Sequence, residues 1–286
     1  MRDFTNKVAV ITGAASGVGR GLANQCAVEG MKIVLADIEK EPLLKAENEL
    51  RQTGAQTISV LMDVSKLEDV ERLANTTIKE FGEVNLLFNN AGVGTRENIW
   101  ESTINDWKWV LGVNVWGVIH GVKIFTPIML KQNKECFILN TASGFALING
   151  SSIYGVTKRG ILSLSESLSI QLKQIKSKIK VAVLIPGFVN TNIANSARNR
   201  PSELQNKKTF LEGDLEDKEE GLRYNAQSLI SQGMNPDYFA KIVFHGIRKN
   251  KFHIIGDPGI KFLFNTRVSR ILRDIKYFEK HISEIK

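Results

Sequence analysis

Short apolar runs rich in β-branched residues alternate along the chain with longer segments whose apolar positions recur every three or four residues. KVAVIT (7–12), KIVLAD (32–37), QTISVLMD (56–63), VNLLFNNAG (84–92), CFILNTAS (136–143), KVAVLIPG (180–187) and KFHIIG (251–256) have strand length and are bounded by turn residues. Helical spacing fills the intervals. It covers 16–30, stopped by Gly30, then a charged stretch near 39–53, and 67–82 with Leu67, Val70, Leu73 and Ile78 on one face. Residues 102–132 predict one or two helices, and Ile161, Leu164, Leu168, Leu172 and Ile175 stripe a long one starting at Ile153. Asn235 can cap a last core helix over 235–250, with Pro236 at its first position. Repeated strand–helix alternation implies an α/β fold: about seven parallel strands, doubly wound, with right-handed crossovers and helices on both faces. This makes a single domain over 1–259.

Two segments leave the pattern. Residues 190–234 are polar with little periodicity, and an insertion that long after the sixth strand reads as functional or mobile. The tail 260–286 returns to helical spacing, with apolar residues at 264, 268, 271, 272, 275 and 278 and seven Lys/Arg against three Asp/Glu. A basic amphipathic helix can lie on an anionic membrane. Packing against its own domain or a partner subunit is the preferred expectation.

Composition changes this picture little. Hydrophobic content of 43% and charged content of 24% over 286 residues suit a globular protein with an ample core. The formal charge of +8 invites a nucleic-acid reading, but acids are scattered among the positives until the C-terminal end, and no recognition module accompanies them. Cys26 and Cys136 stand far apart without metal-ligand spacing, so no disulfide framework, no zinc site and a reducing, cytoplasmic compartment are expected. The N-terminal apolar run is too short for a secretory signal, and no uninterrupted apolar stretch approaches the ~18 residues of a membrane span.

Chemistry enters with TGAASGVG (12–19), which follows the first strand and opens the first helix. Gly13, Gly17 and Gly19 permit a tight turn and close backbone approach, and the helix N-terminus offers free N–H groups to a pyrophosphate. Such a loop belongs to a Rossmann-like, dinucleotide-binding sheet. Asp37 ends the second strand about 20 residues on, where a carboxylate accepts hydrogen bonds from an adenosine ribose and repels a 2′-phosphate. Ser16 and Ile38 occupy positions where a cation would favour a phosphate, so NAD is preferred over NADP. Helix capping is the competing role for Asp37.

SSIYGVTKRG (151–160) sets Tyr154 one helical turn before Lys158. A cation about 4 Å from the phenol would be worth about 4 kcal/mol at an effective dielectric of 20. With each pKa unit near 1.4 kcal/mol, that would carry the tyrosine towards neutrality and make it a general acid or base.

Together TGAASGVG, NNAG (89–92), Asn114, Ser143, YGVTK (154–158) and PGFVNT (186–191), in this order and at these intervals, resemble the short-chain dehydrogenase/reductase family. The resemblance spans about 5–194 and returns more weakly over 235–256. It implies hydride transfer between a nicotinamide dinucleotide and a secondary alcohol, ketone or aldehyde, in a homodimer or homotetramer. Tyr154 would exchange the proton, Lys158 would lower its pKa and hold the nicotinamide ribose, and Ser143 would donate to the reacting oxygen. Asn114 would steady a water linking Lys158 to solvent. The matching cofactor positions are Gly13, Ser16, Val18, Gly19, Asp37, Asp63, Val64, Asn90, Ala91 and Gly92, with Pro186, Gly187 and Thr191 flanking the nicotinamide.

Asp63 and Val64 could instead close a strand, and Asn114 could mark a helix kink. Ser151 and Ser152 lie closer in sequence to Tyr154, but Ser143 directly follows the fifth strand, at the end that faces the crevice. Three details depart from the family pattern: the 11-residue link from Ser143 to Tyr154, Asn85 in place of Asp, and Thr157 in place of Ser. Substrate choice is expected from Phe145, Leu147 and Ile148 and from Phe210, Leu211, Leu222 and Tyr224, with Trp100, Trp107 and Trp116 also available. An apolar, steroid-like or lipid-like alcohol competes with a small polar one. A non-catalytic dinucleotide sensor or scaffold is the alternative function, disfavoured by the complete Asn114, Ser143, Tyr154 and Lys158 set.

Overall fold

The computed structural model describes residues 1–95, 98–150, 152–206, 228 and 230–282. Seven strands form one sheet: β1 (Val8–Thr12), β2 (Lys32–Asp37), β3 (Thr57–Leu61), β4 (Leu86–Asn89), β5 (Cys136–Thr141), β6 (Ile179–Ile185) and β7 (His253–Ile255). Their spatial order is β3-β2-β1-β4-β5-β6-β7 and every pair is parallel. Val10 of β1 pairs with Val34 on one side and Leu87 on the other. The chain therefore winds outward from β1 in one direction and, after β3, returns to wind outward in the other. That reversal opens a crevice at the C-terminal ends of β1 and β4, the general place for ligands in such sheets.

β1 and β4 are buried throughout because helices cover both faces. α1 (Gly17–Val28), α2 (Lys40–Gln52) and α7 (Pro236–Arg248) close a core containing Phe4, Leu22, Phe88, Phe239 and Phe244. On the opposite face α3 (Leu67–Phe81), α5 (Gly117–Gln132) and α6 (Ile153–Gln174) pack over Val10, Val34, Leu73, Phe125 and Leu172. α4 (Ile104–Leu111) leads into α5 through a single wide turn. The 29-residue run Ile104–Gln132 is long and apolar enough to cross a membrane, yet Val110, Val118, Phe125 and Met129 are core residues here.

Packing on its own domain, one expectation for the tail, is not how α8 (Ile260–His281) sits. It contains no buried residue, and Phe262, Leu272, Ile275 and Phe278 are more than half or nearly half exposed. Its contacts with the body include Ile260 against the α6 side of the core and a weak bond from Arg267 to the Leu147 carbonyl at 3.4 Å. The reason lies in geometry: a straight 22-residue helix runs beyond the surface it starts on.

Candidate active site

The first side of the crevice is the loop from β1 to α1. Gly13 and Gly17 adopt φ of +66° and +54°, and a Cβ on Gly19 would fall 2.0 Å from the Gly13 carbonyl oxygen, so side chains are excluded from the turn. Ser16 caps α1 in extended conformation without a side-chain hydrogen bond, leaving the first-turn N–H groups facing the crevice mouth. Val18 and Gly19 lie in that first turn. The cradle and its donors fit a dinucleotide pyrophosphate.

Asp37 ends β2 beside this loop. Its carboxylate accepts from the Ala15 N–H at 2.9 Å and the Glu39 N–H at 3.0 Å. Burial raises its pKa, and these backbone bonds oppose the rise. The residue thus joins the glycine loop to the start of α2, while the cap position of α2 belongs to Glu39. Asp63 is committed more locally: one of its oxygens accepts from both the N–H and the hydroxyl of Ser65. Val64 is buried and its carbonyl meets His120 Nδ1 at 3.0 Å.

Asn90, Ala91 and Gly92 follow β4. Asn90 Nδ2 donates to the Thr12 carbonyl at 3.0 Å, and the backbone N–H groups of Asn90 and Ala91 both reach Thr12 Oγ1. Thr12, not singled out from the sequence, therefore ties the ends of β1 and β4 together. It opens the TGAASGVG stretch, but nothing local marks its hydroxyl as the tie to β4.

The second side is built by β5, the following turn and α6. Ser152 caps α6 by accepting from the Gly155 N–H, so the serine nearest Tyr154 has a structural role. Ser143 instead sits at the crevice end of β5, near enough to the Tyr154 hydroxyl to lower its pKa, while its own Oγ accepts from the Phe145 N–H at 3.4 Å. Phe145 meets the Tyr154 ring edge-on, with centroids 6.2 Å apart. Lys158 is buried, and its ammonium donates to the Thr141 carbonyl at 2.9 Å while standing 5.4 Å from the Tyr154 ring centre.

The electrostatic expectation for this pair needs correction. Burial pushes the Tyr154 pKa above its ordinary value, and the Ser143 hydrogen bond only opposes it. Burial also pushes Lys158 down to about 8. The loss of hydration disfavours the charged form of each group.

Asn114 lies at the centre of the wide turn Gly112–Trp116, wound as π-helix between α4 and α5. Its Oδ1 accepts from the Val93 N–H at 2.8 Å, and its Nδ2 donates to the Val93 carbonyl at 2.9 Å and the Thr157 hydroxyl at 3.1 Å. Thr157 in turn donates to the Tyr154 carbonyl at 2.7 Å. A Cβ on Gly92 would lie 3.3 Å from Lys158 Nζ and 3.4 Å from Asn114 Oδ1, so lysine and asparagine face the same spot. Asn114 marks a helix irregularity and faces the same spot as Lys158. Thr157, a departure from the family pattern, links Asn114 to the Tyr154 backbone. Asn85, the other departure, accepts from the Val8 N–H at the opposite end of the sheet.

The third side is the chain after β6. Pro186 accepts from the Gly144 N–H, Gly187 abuts Asp257, and Thr191 lies against Gly17. Beyond it a 3-10 segment, Ile193–Asn199, ends in an ion pair absent from the sequence reading: Arg198 to Glu39, beside Asp37. Of the substrate-side residues, Phe145 is exposed near Tyr154, while Trp100 and Trp116 are exposed on the surface and Trp107 packs beside Trp109. Phe210, Leu211, Leu222 and Tyr224 lie outside the described residues.

With this geometry in hand, comparison with known proteins gives consistent matches. The family model for short chain dehydrogenase matches residues 7–202. A protein of Lactiplantibacillus plantarum named CLA biosynthesis dehydrogenase/reductase is 32% identical over 283 residues, 96% of each chain. The C alpha-dehydrogenase of a Sphingobium strain is 33% identical over 265 residues, 91% of this chain and 84% of its own. Among solved structures, a short-chain dehydrogenase/reductase from Burkholderia phymatum in complex with NAD superposes with a TM-score of 0.91 at 40% identity, covering 96% of this chain and 97% of its own.

Proposed function

The chain belongs to the short-chain dehydrogenase/reductase family, and we propose that it interconverts a secondary alcohol and a ketone or aldehyde with NAD as the hydride carrier. One observation carries this reading: Tyr154, Ser143, Lys158 and Asn114 converge at the crevice beside a pyrophosphate-shaped glycine loop. When bound, the nicotinamide supplies or accepts the hydride. The Tyr154 hydroxyl gives its proton to the carbonyl oxygen in reduction, and its phenolate, the form that burial disfavours, takes the proton from the alcohol in oxidation. Ser143 donates to the same oxygen and holds developing charge. Lys158, with a pKa near 8, is mostly cationic at neutral pH and restrains the tyrosine and the ribose. Asn114 fixes the Val93 backbone and, through Thr157, the first turn of α6.

Asp37 supports NAD over NADP, since a carboxylate repels a second phosphate there. Phe145, Leu147 and Ile148 favour a substrate with an apolar flank. The free, buried Cys26 and Cys136 fit a cytoplasmic setting. A screen of secondary alcohols and ketones, read by NADH absorbance, tests the proposal. Tyr154→Phe should lower turnover by about 10²–10⁴-fold while leaving NADH binding in place. Full activity in that variant would remove the tyrosine from the mechanism. NADH binding without turnover on any substrate would favour the sensor alternative, and tighter binding of NADPH than NADH would overturn the role given to Asp37.

A further inference from the structure

We propose that Glu39 and Arg198 form a clasp that fastens the 188–199 strap across the dinucleotide crevice and so governs how long a bound dinucleotide stays. The inference rests on the reading that this crevice takes a dinucleotide.

The strap touches the crevice along its length. It is rooted where Val189 pairs with Met234, passes over the glycine loop with Thr191 against Gly17, and reaches the β4 end, where Ser196 Oγ accepts from the Gly94 N–H at 3.1 Å. It then arrives at the β2 end. There the Arg198 fork donates from Nε to one Glu39 oxygen at 2.7 Å and from Nη2 to the other at 2.8 Å. The remaining nitrogen, Nη1, donates to the carbonyls of Asn195 at 2.8 Å and Asn192 at 3.2 Å. One guanidinium therefore stiffens the strap and pins it to the far bank.

The far bank is well chosen. Glu39 is two residues beyond Asp37, and the Asp37 carboxylate accepts the Glu39 N–H. The clasp is thus fastened beside the carboxylate offered to the ribose. Isolated surface ion pairs contribute little, but a two-point guanidinium–carboxylate fork is the geometry in which they do. Both side chains are mostly shielded, 27% and 19% exposed. Release of a dinucleotide from under the strap requires the fork to open.

The test is the rate of NADH release, read by displacement of NADH fluorescence in stopped flow, for wild type, Glu39→Gln, Arg198→Met and the double variant. Each single variant should release NADH about three- to tenfold faster, and the double no faster than either single, because one interaction is lost in all three. Added salt should speed release from wild type and leave the double variant unchanged. Glu39→Asp, which keeps the charge on a shorter arm, should fall between. Thermal midpoints of the ligand-free proteins should agree within about 2 °C, separating a clasp from a general loss of stability. Unchanged release rates, or losses that add in the double variant, would overturn the clasp. So would a gain of NADPH affinity in Glu39→Gln with NADH release unaltered, which would make Arg198 a masked phosphate site. Wild type binding neither dinucleotide would instead defeat the underlying reading, and the clasp with it.

Discussion

The Lys158 ammonium donates to the Thr141 carbonyl at 2.9 Å, and the hydroxyl of the same threonine donates to Asn90 Oδ1 at 3.3 Å. Because Asn90 also holds the carbonyl of Thr12, a hydrogen-bonded line runs from the glycine loop to the lysine. The two halves of the crevice are therefore mechanically joined.

Burying that ammonium has a consequence for stability. An unfolded lysine titrates near 10.5, the folded Lys158 near 8. Below pH 8 the folded state carries the whole penalty of the buried cation. Between about 8 and 10.5 it binds fewer protons than the unfolded chain, so stability rises with pH. Lys158→Met should be more stable than wild type below pH 8, with the gap closing towards pH 10.5. Urea unfolding of both proteins across that range checks it, and a gap independent of pH would assign the difference to packing.

Thr157 makes a sharper prediction about the site. Its hydroxyl is the only feature distinguishing it in shape from valine, and that hydroxyl joins Asn114 Nδ2 to the Tyr154 carbonyl. Thr157→Val should cost about 1–3 kcal/mol of stability by leaving one buried Asn114 amide hydrogen without an acceptor. It should also lower kcat more than it raises KM. Thr157→Ser should restore both, and failure of that rescue would trace the effect to the missing methyl.

Arg200 anchors the chain beyond the strap. Its guanidinium pairs with Asp106 at 2.6 Å and lies 5.2 Å from the centre of the Trp109 ring. Asp106 is only 1% exposed. Burial pushes its pKa up, but Thr103 and Arg200 outweigh it and hold the carboxyl below the usual range. Arg200→Met leaves that carboxylate unpaired and should destabilise by about 3–5 kcal/mol. The contribution of Asp106 is complete above the unfolded carboxylate pKa and is lost as pH falls through its depressed folded value. The penalty of Arg200→Met, measured by urea unfolding, should therefore shrink in strong acid.

α8 leads to a test of assembly. Ile271, Ile275, Phe278 and Ile282 line one stripe, and Asp274 and Glu279 border it. These acids offer contacts to a protein partner, while Arg267, Arg270, Arg273, Lys276 and Lys280 of the same helix would suit an anionic membrane. The combined Ile271→Ser, Ile275→Ser and Phe278→Ser variant should lower the oligomeric mass seen by light scattering after gel filtration. An unchanged mass, with wild-type binding to anionic vesicles lost in the variant, would move α8 to the membrane.

Much of the architecture was legible because the relevant signals are local. Strand lengths, helical stripes and the stops at Gly30 and Gly82 depend on neighbours a few residues away, and the elements fall within a few residues of where they were expected. The strand–turn–helix context of Gly13, Gly17 and Gly19 is local too. Ser143 stands apart from Ser151 and Ser152 by its place after β5, a distinction that needs only the rule that strand ends face the crevice.

Other features depend on distance in space. Thr12, Thr141 and Thr157 lie in or beside stretches legible in sequence, yet the bonds by which each holds two segments together at the site are not. Arg198 lies 159 positions from Glu39, and no local pattern announces the pair. The pKa of Tyr154 could not be read from its spacing to Lys158, because spacing specifies separation along a helix but not dehydration. The sequence by itself determined the elements, their parallel direction and the chemical inventory at the strand ends, since hydrophobic period and turn chemistry act over short range. Only the tertiary structure decided which groups are stripped of water, which charges meet and where the strap is fastened, since burial and contact are properties of the whole packed chain.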